Sequence, residues 1–178
     1  MHGIVLYWTL KFRSRMMTVP AFRLATLGDA ELVKAISASA YVPAYWAVIG
    51  AVPKPAFEDY RSRIQDGNVW IAKVDGEAAG ILVLEEEQDF LMIYSIAVAP
   101  EFQGRGFAKA LLAHAEDYAG KKMLPELRLY TNKRMQRNVA LYVSYGFAKS
   151  GERPHPSREG EVLIDMVKPV KKARPMQL

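Results

Sequence analysis

Apolar and polar positions along the chain fall into blocks that lay out short strands and helices. Phe22-Arg23-Leu24-Ala25 reads as a short strand. From Asp29 the apolar residues Leu32, Val33, Ile36 and Ala40 recur at helical spacing. Residues 41–55 are aromatic and punctuated by proline. Pro53 and Pro55 favour a turn there, followed by a helix from about Ala56 to Gln65 that Asp66-Gly67 stops. Val69–Val74 and Ala78–Leu84 predict two strands joined by Asp75-Gly76, a strong hairpin signal. Glu85–Gln88 reads as a charged turn, and Phe90–Val98 as a third apolar strand that Pro100 stops. Phe107–Ala119 predicts an amphipathic helix, with Ala110, Leu111, His114, Ala115 and Tyr118 on one face. A strand over Leu127–Thr131 and a helix over Arg137–Tyr145 follow, with Gly146 suited to the left-handed cap. Phe147–Ser150 and Val162–Val167 are the last strands, around a loop at 151–160. No linker, repeat or low-complexity stretch interrupts residues 20–168. The pattern predicts one α+β domain with a mixed central β-sheet flanked by helices.

Composition narrows the function. The chain has 178 residues, 51% hydrophobic and 24% charged, the balance of a globular protein. With no cysteine it has no disulfide framework, thiolate zinc site or Cys nucleophile. The net charge of +5 invites a nucleic-acid reading, but residues 1–17 supply +3 and residues 168–178 supply +4, leaving the body at −2. The expectation is a leader segment at 1–17 or an overcalled start, a domain at 18–168 and a basic tail at 169–178 that keeps the protein soluble. Nucleic acid is not expected as a partner. Gly3–Leu10 is too short an apolar run to span a bilayer, and its basic residues follow it where a secretory signal has them first. A cytoplasmic protein without a membrane partner is the expectation.

The chemistry concentrates in Val98-Ala99-Pro100-Glu101-Phe102-Gln103-Gly104-Arg105-Gly106-Phe107-Ala108: a strand, a glycine-bearing turn and a helix start. Gly104 and Gly106 permit a tight turn and close approach to a ligand. The first amides of the following helix have no internal partner, and the helix dipole is positive there. Arg105 adds a cation suited to phosphate oxygens. This combination points to a pyrophosphate-bearing ligand. The Walker pattern is absent, and the dinucleotide fingerprint fails because Lys109 stands at its third glycine and Tyr130-Thr131-Asn132 lacks its acid.

Val98-x-Pro100-x-x-Gln103-Gly104-Arg105-Gly106 resembles the acetyl-CoA-binding motif of the GCN5-related N-acetyltransferase (GNAT) superfamily. Leu141-Tyr142-x-x-x-Gly146-Phe147 resembles that superfamily's second block, and Tyr130-Thr131-Asn132-x-x-Met135-x-x-Asn138 resembles a bacterial branch of it. Arg23, Asp29 and Gly80 extend the likeness upstream, so that it covers residues 20–168. The resemblance implies a single-domain GNAT-like fold and acetyl-CoA as co-substrate. It implies that the main chain of Ile96 and Val98 takes the pantothenate arm. The amides of Gln103, Gly104, Arg105, Gly106, Phe107 and Ala108 would hold the pyrophosphate. It also brings Asn132 and Asn138 to the pantetheine arm, where helix capping is the competing role for both.

By the same resemblance, Tyr142 gives a proton to the departing CoA thiolate as general acid. Spacing alone reads it as one more core aromatic. The reaction implied is direct attack of a primary amine on the thioester, with no protein nucleophile. The acceptor is a small-molecule or peptide amine. Its pocket is expected from the 41–60 region, with Tyr41, Tyr45, Trp46 and Tyr60, and packing against the sheet is the equal alternative. Some relatives carry a glutamate as base on the strand before the turn. Here Met92 and Tyr94 hold those positions, and Tyr94 is the candidate for lining a deprotonation path. The missing carboxylate leaves a catalytically inactive CoA-binding regulatory module as the second reading. His2, His114 and His155 show neither triad nor metal spacing, so no metal is expected. A homodimer is in keeping with the resemblance alone.

Overall fold

The computed structural model describes residues 19–171; the leader and most of the basic tail lie outside the described residues. The strands are β1 (Ala21–Leu24), β2 (Val69–Val74), β3 (Glu77–Glu86), β4 (Leu91–Val98), β5 (Glu126–Asn132), β6 (Ala148–Pro154) and β7 (Val162–Pro169). The α-helices are α1 (Ala30–Ile49), α2 (Arg61–Gln65), α3 (Phe107–Lys121) and α4 (Gln136–Tyr145). One sheet of seven strands runs in the order β1-β2-β3-β4-β5-β7-β6. Every pairing is antiparallel except β4 with β5.

The sheet separates two cores, because neighbouring residues of a strand point to opposite faces. On one face Val33 and Ile36 of α1, with Tyr60 and Ile64 around α2, pack on Ile71, Ile81 and Val83. On the other, Leu111, Leu112 and Ala115 of α3, with Tyr142 of α4, pack on Leu82, Leu84, Leu91 and Leu127. Strand β3 is central, and Ala79 to Leu84 are all buried. Gly80 sits where backbone and helix approach most closely: a Cβ there would lie 2.6 Å from Ala97 O and 3.2 Å from a Leu111 methyl. At the N-terminal edge, the Asp29 carboxylate accepts from Thr26 N, Thr26 Oγ1 and both terminal nitrogens of Arg23, each at 2.8 Å. The Arg23 bonds come first among the causes that hold the Asp29 carboxyl below the ordinary carboxylate range. They tie β1 to the start of α1.

Helix α1 runs past Ala40, where the helical apolar repeat ends, and carries Pro43 in its interior. Proline removes one backbone donor and crowds the carbonyl four residues earlier. Tertiary contacts offset this. Tyr41 is anchored to β4, Arg134 donates to Val48 O, and Gly50, at φ 66°, closes the helix onto Trp46 O. The helix expected over residues 56–65 is shorter: Lys54–Ala56 form a single tight 3₁₀ turn and α2 begins at Arg61. By length and composition alone, Leu27–Ile49 could cross a membrane. In the fold, Val33, Ile36 and Ser37 of this segment are buried against the sheet side, while Leu32, Val42 and Trp46 are exposed.

Two predictions follow from these contacts. Gly80→Ala is expected to lower stability by about 1–3 kcal/mol through overpacking, read as a shift in urea midpoint with unchanged slope. His114 stacks on Phe22 with ring centroids 4.0 Å apart and meets Trp70 edge-on. Burial holds its imidazole below the ordinary range. The unfolded chain therefore takes up a proton as pH falls through about 6.5 while the folded chain resists it, and stability is lost below that pH. The urea midpoint should fall between pH 7 and 5.5, and His114→Phe should flatten that slope.

Candidate active site at the splayed strands

Strands β4 and β5 pair only at Leu91–Leu127 and Met92–Arg128. Beyond those two rungs they separate, and a cavity of about 610 Å³ opens between Ile93–Ile96 on one side and Leu129–Asn132 on the other. Helix α1 supplies Tyr41 and Tyr45 to its wall, α4 supplies Asn138 and Tyr142, and the β6–β7 loop supplies His155 and Arg158. A groove of about 290 Å³ lies at the start of α3, lined by Val98, Phe102, Gln103, Gly104, Gly106, Phe107, Ala108, Lys109 and Leu141.

The groove is built by the turn the sequence singled out. Gly104 at φ 72° and Gly106 at φ 86° both take the left-handed conformation, which a side chain would strain. Phe102 and Phe107 are buried and meet edge-to-face at 5.6 Å, which anchors the turn from below. Ala110 N–H is the first in α3 to bond back, to Gly106 O at 3.2 Å. The amides of Phe107, Ala108 and Lys109 are thus the open donors of the helix start. Arg105 is exposed, with its guanidinium 5.6 Å from the Phe102 ring. These features suit a diphosphate.

The β4 edge facing the gap is satisfied by side chains. Tyr41 Oη accepts from Ile96 N at 3.1 Å and donates to Ile96 O at 2.8 Å, while Gln103 Nε2 donates to Val98 O at 3.0 Å. The Tyr142 hydroxyl makes no hydrogen bond among the described residues. Its ring is buried, and that burial, with Tyr45 nearby, raises its pKa well above the ordinary phenol range. It is therefore protonated at neutral pH and can donate. Tyr45 is raised by burial too, against the opposing influence of Thr131, Asn138 and Arg158.

The other residues singled out by sequence divide. Tyr94 lines the cavity, and its hydroxyl donates to Glu58 Oε2 at 2.6 Å. Arg63 holds the other Glu58 oxygen at 2.8 Å and stacks 3.6 Å over the Tyr94 ring. Asn132 is buried with both ends engaged: Nδ2 donates to Glu161 at 2.8 Å and Oδ1 accepts from Arg134 N at 2.9 Å. Asn138 faces the cavity. Trp46 is 63% exposed on the outer side of α1, away from the cavity lining. Tyr60 is fully buried, with its hydroxyl bound to Pro55 O and Ser37, so it is a packing residue. Glu58, Thr131, Arg153 and Arg158 escaped the sequence reading. Glu58 and Arg158 sit in loops with no periodic signal, and only the fold brings them to the cleft. Among the described residues no cluster of three or more metal-ligating side chains is present.

A cleft between splayed parallel strands, with a groove at an amide-rich helix start beside it, suits a long, thin ligand with an anionic end. The acetyltransferase (GNAT) family model matches residues 38–147, and the chain belongs to that family. It is 33% identical to mycothiol acetyltransferase of Renibacterium salmoninarum over 92 residues, 41% of this chain and 27% of that protein. It is 29% identical to spermidine N(1)-acetyltransferase of Escherichia coli (strain K12) over 136 residues, 71% of this chain and 72% of that protein. The chain covers less than half the length of the curated relatives it matches first, 27% and 40% of them. Among solved structures, the PaiA N-acetyltransferase of Thermoplasma acidophilum in complex with coenzyme A superposes with a TM-score of 0.68 at 18% identity, over 84% of this chain and 98% of that one. That likeness carries the fold.

Tyr41 and Trp46 stand only five positions apart on one helix and make a direct test of this geometry. Tyr41→Phe strips the hydroxyl from Ile96 and is expected to cost about 1–3 kcal/mol of stability. Trp46→Ala, on the exposed face, should stay within about 0.5 kcal/mol. Chemical denaturation of the two variants reads the difference.

Proposed function

We propose that this protein is an acetyl-CoA-dependent N-acetyltransferase that moves the acetyl group to a primary amine by direct attack in a ternary complex. The observation that carries this reading is the succession of two openings along β4. The aromatic cavity reaches Ile96 and Tyr142, and the groove at the Gly104–Ala108 turn starts two residues further on, at Val98, beside Leu141. The residues fit acetyl-CoA: unpaired amides and Arg105 for the diphosphate, and a strand edge for the pantetheine amides. Ile96 and Val98 main-chain groups would exchange the Tyr41 and Gln103 side chains for those amides. Bound there, acetyl-CoA supplies an activated acyl group.

Tyr142 then acts as general acid. It is buried, protonated and without a hydrogen-bond partner among the described residues, and it delivers its proton to the thiolate as the carbon–sulfur bond breaks. Tyr94 and Glu58 supply the outward path for the amine's proton. The Tyr94 oxygen receives it while its own proton passes along the 2.6 Å bond to the Glu58 carboxylate. This reading gives the missing strand carboxylate a substitute on the loop before α2. Asn138 is placed to meet the pantetheine arm, whereas Asn132 serves chiefly to fix the β5–α4 turn.

The reading is tested by titrating the protein calorimetrically with acetyl-CoA, then measuring turnover with primary amines. Acetyl-CoA should bind, and NAD and ATP should not. Tyr142→Phe should leave the acetyl-CoA Kd unchanged and lower kcat about 10²-fold or more. Full activity in that variant would remove Tyr142 from the acid role. Binding without turnover in the unsubstituted protein would favour the regulatory-module reading.

A further inference from the structure

The cavity between β4 and β5 has an unbalanced charge. Its lining includes Lys54, Arg153 and Arg158 and no carboxylate. Arg153 is committed, with Nε 3.1 Å from both Asp165 oxygens and its guanidinium over the Tyr130 ring. Lys54 and Arg158 make no ion pair among the described residues. Arg158 donates through Nη2 to Val52 O, which fixes the guanidinium at the rim and leaves its other N–H groups available. Its charge acts on Tyr45, so the guanidinium and that phenol share the cavity. Thr131 Oγ1, on β5, is buried without a hydrogen-bond partner among the described residues, in a residue only 4% exposed. Around these polar groups the wall is aromatic and apolar: Tyr45, Phe57, Tyr130 and Leu163.

We propose that the acceptor is a primary amine that also carries a carboxylate, an α-amino acid or close analogue, whose carboxylate Arg158 and Lys54 hold while its amine faces the open edge of β4. The proposal rests on the acetyltransferase reading above and adds the acceptor class. A carboxylate entering this half-enclosed site needs a cation to offset its lost hydration, and a guanidinium offers it two parallel donors. A polyamine meets the reverse situation, with cations on the rim and no acid to receive its charges. Glu58 and Glu85 behind Tyr94 are both taken by Arg63, and Glu161, whose carboxylate feels the charge of Arg158, is taken by Arg134 and Asn132. The volume of about 610 Å³ matches a small molecule with an apolar body.

Arg158 also pins the segment after α1, so its role in recognition must be separated from a structural one. Arg134 provides the control: it donates to Val48 O in the last turn of α1, four residues before Val52, and does not line the cavity. The experiment measures acetyl-CoA turnover with three acceptor sets at equal concentration. These are a pool of the twenty L-α-amino acids, a pool of amines without carboxylate (phenethylamine, tyramine, isobutylamine), and spermidine. The amino-acid pool is expected to react at least tenfold faster than either other set. Arg158→Gln should then lower kcat/KM for the best amino acid at least tenfold, chiefly through KM. It should leave the acetyl-CoA Kd within twofold and move the preference between that amino acid and phenethylamine at least tenfold toward phenethylamine, and Arg134→Gln should not change the preference. Preference for spermidine or the plain amines overturns the proposal, as does no turnover of the amino-acid pool by protein that binds acetyl-CoA. Equal losses in Arg158→Gln and Arg134→Gln overturn it too. Failure to bind acetyl-CoA instead overturns the acetyltransferase reading on which it stands.

Discussion

The structure depends on a parallel pairing that stops after two rungs. Strands β4 and β5 start side by side at Leu91 and Leu127 and then part. Unpaired strand edges normally invite aggregation or must be covered. Here the opened edge of β4 is covered from within: the Tyr41 hydroxyl bonds Ile96 and the Gln103 amide bonds Val98 O. The same opening creates the cavity that Tyr142 lines, and β4 itself runs on to the turn before α3. Without the splay the sheet would close, and no ligand could lie across it.

The splay holds because the rest of the sheet is tightly specified. Strand β3 is buried on both faces and locks β4 in antiparallel register, with one bulge near Leu84. On the far side β7 pairs along the whole of β5, from Glu126 to Asn132. Each of the two parting strands thus has one fully bonded neighbour, and the gap costs only the bonds they would have shared. Gly80 lets β3, β4 and α3 approach closely at the rigid side of the opening. The arrangement places Tyr41, Tyr94 and Tyr142 on helices and a strand, which hold side chains more precisely than loops do.

Around the cavity the electrostatics are arranged in layers. Carboxylates near the site are bound to arginines: Glu58 and Glu85 to Arg63, Asp165 to Arg153, and Glu161 to Arg134. What faces the cavity is a set of phenols, held protonated by burial, and cations at the rim. Phenols in this setting can donate or relay a proton without carrying charge. The division separates the groups suited to proton transfer from those suited to recognising a ligand's charge.

The local alphabet of the fold was legible in the sequence. Alternation and the Asp75-Gly76 turn marked the β2–β3 hairpin. The apolar periodicity marked α3, and Gly104 and Gly106 marked a turn that only left-handed backbone can make, as their φ values of 72° and 86° show. The blocks around Gln103 and Tyr142 placed the chain in its family, because both are local in sequence. The course of α1 through Pro43 was not legible, since the bonds that offset the proline come from β4 and from Arg134, far along the chain. Nor were Glu58 and Arg158, whose neighbours in sequence say nothing about the cleft they border. Trp46 and Tyr41 look alike in sequence, yet one faces out and the other secures the strand edge. Local propensity and motif spacing are written in consecutive residues. Which strand edge stays open, and which charges gather around it, depends on contacts between segments 36 to 106 residues apart, and only the folded chain brings those together.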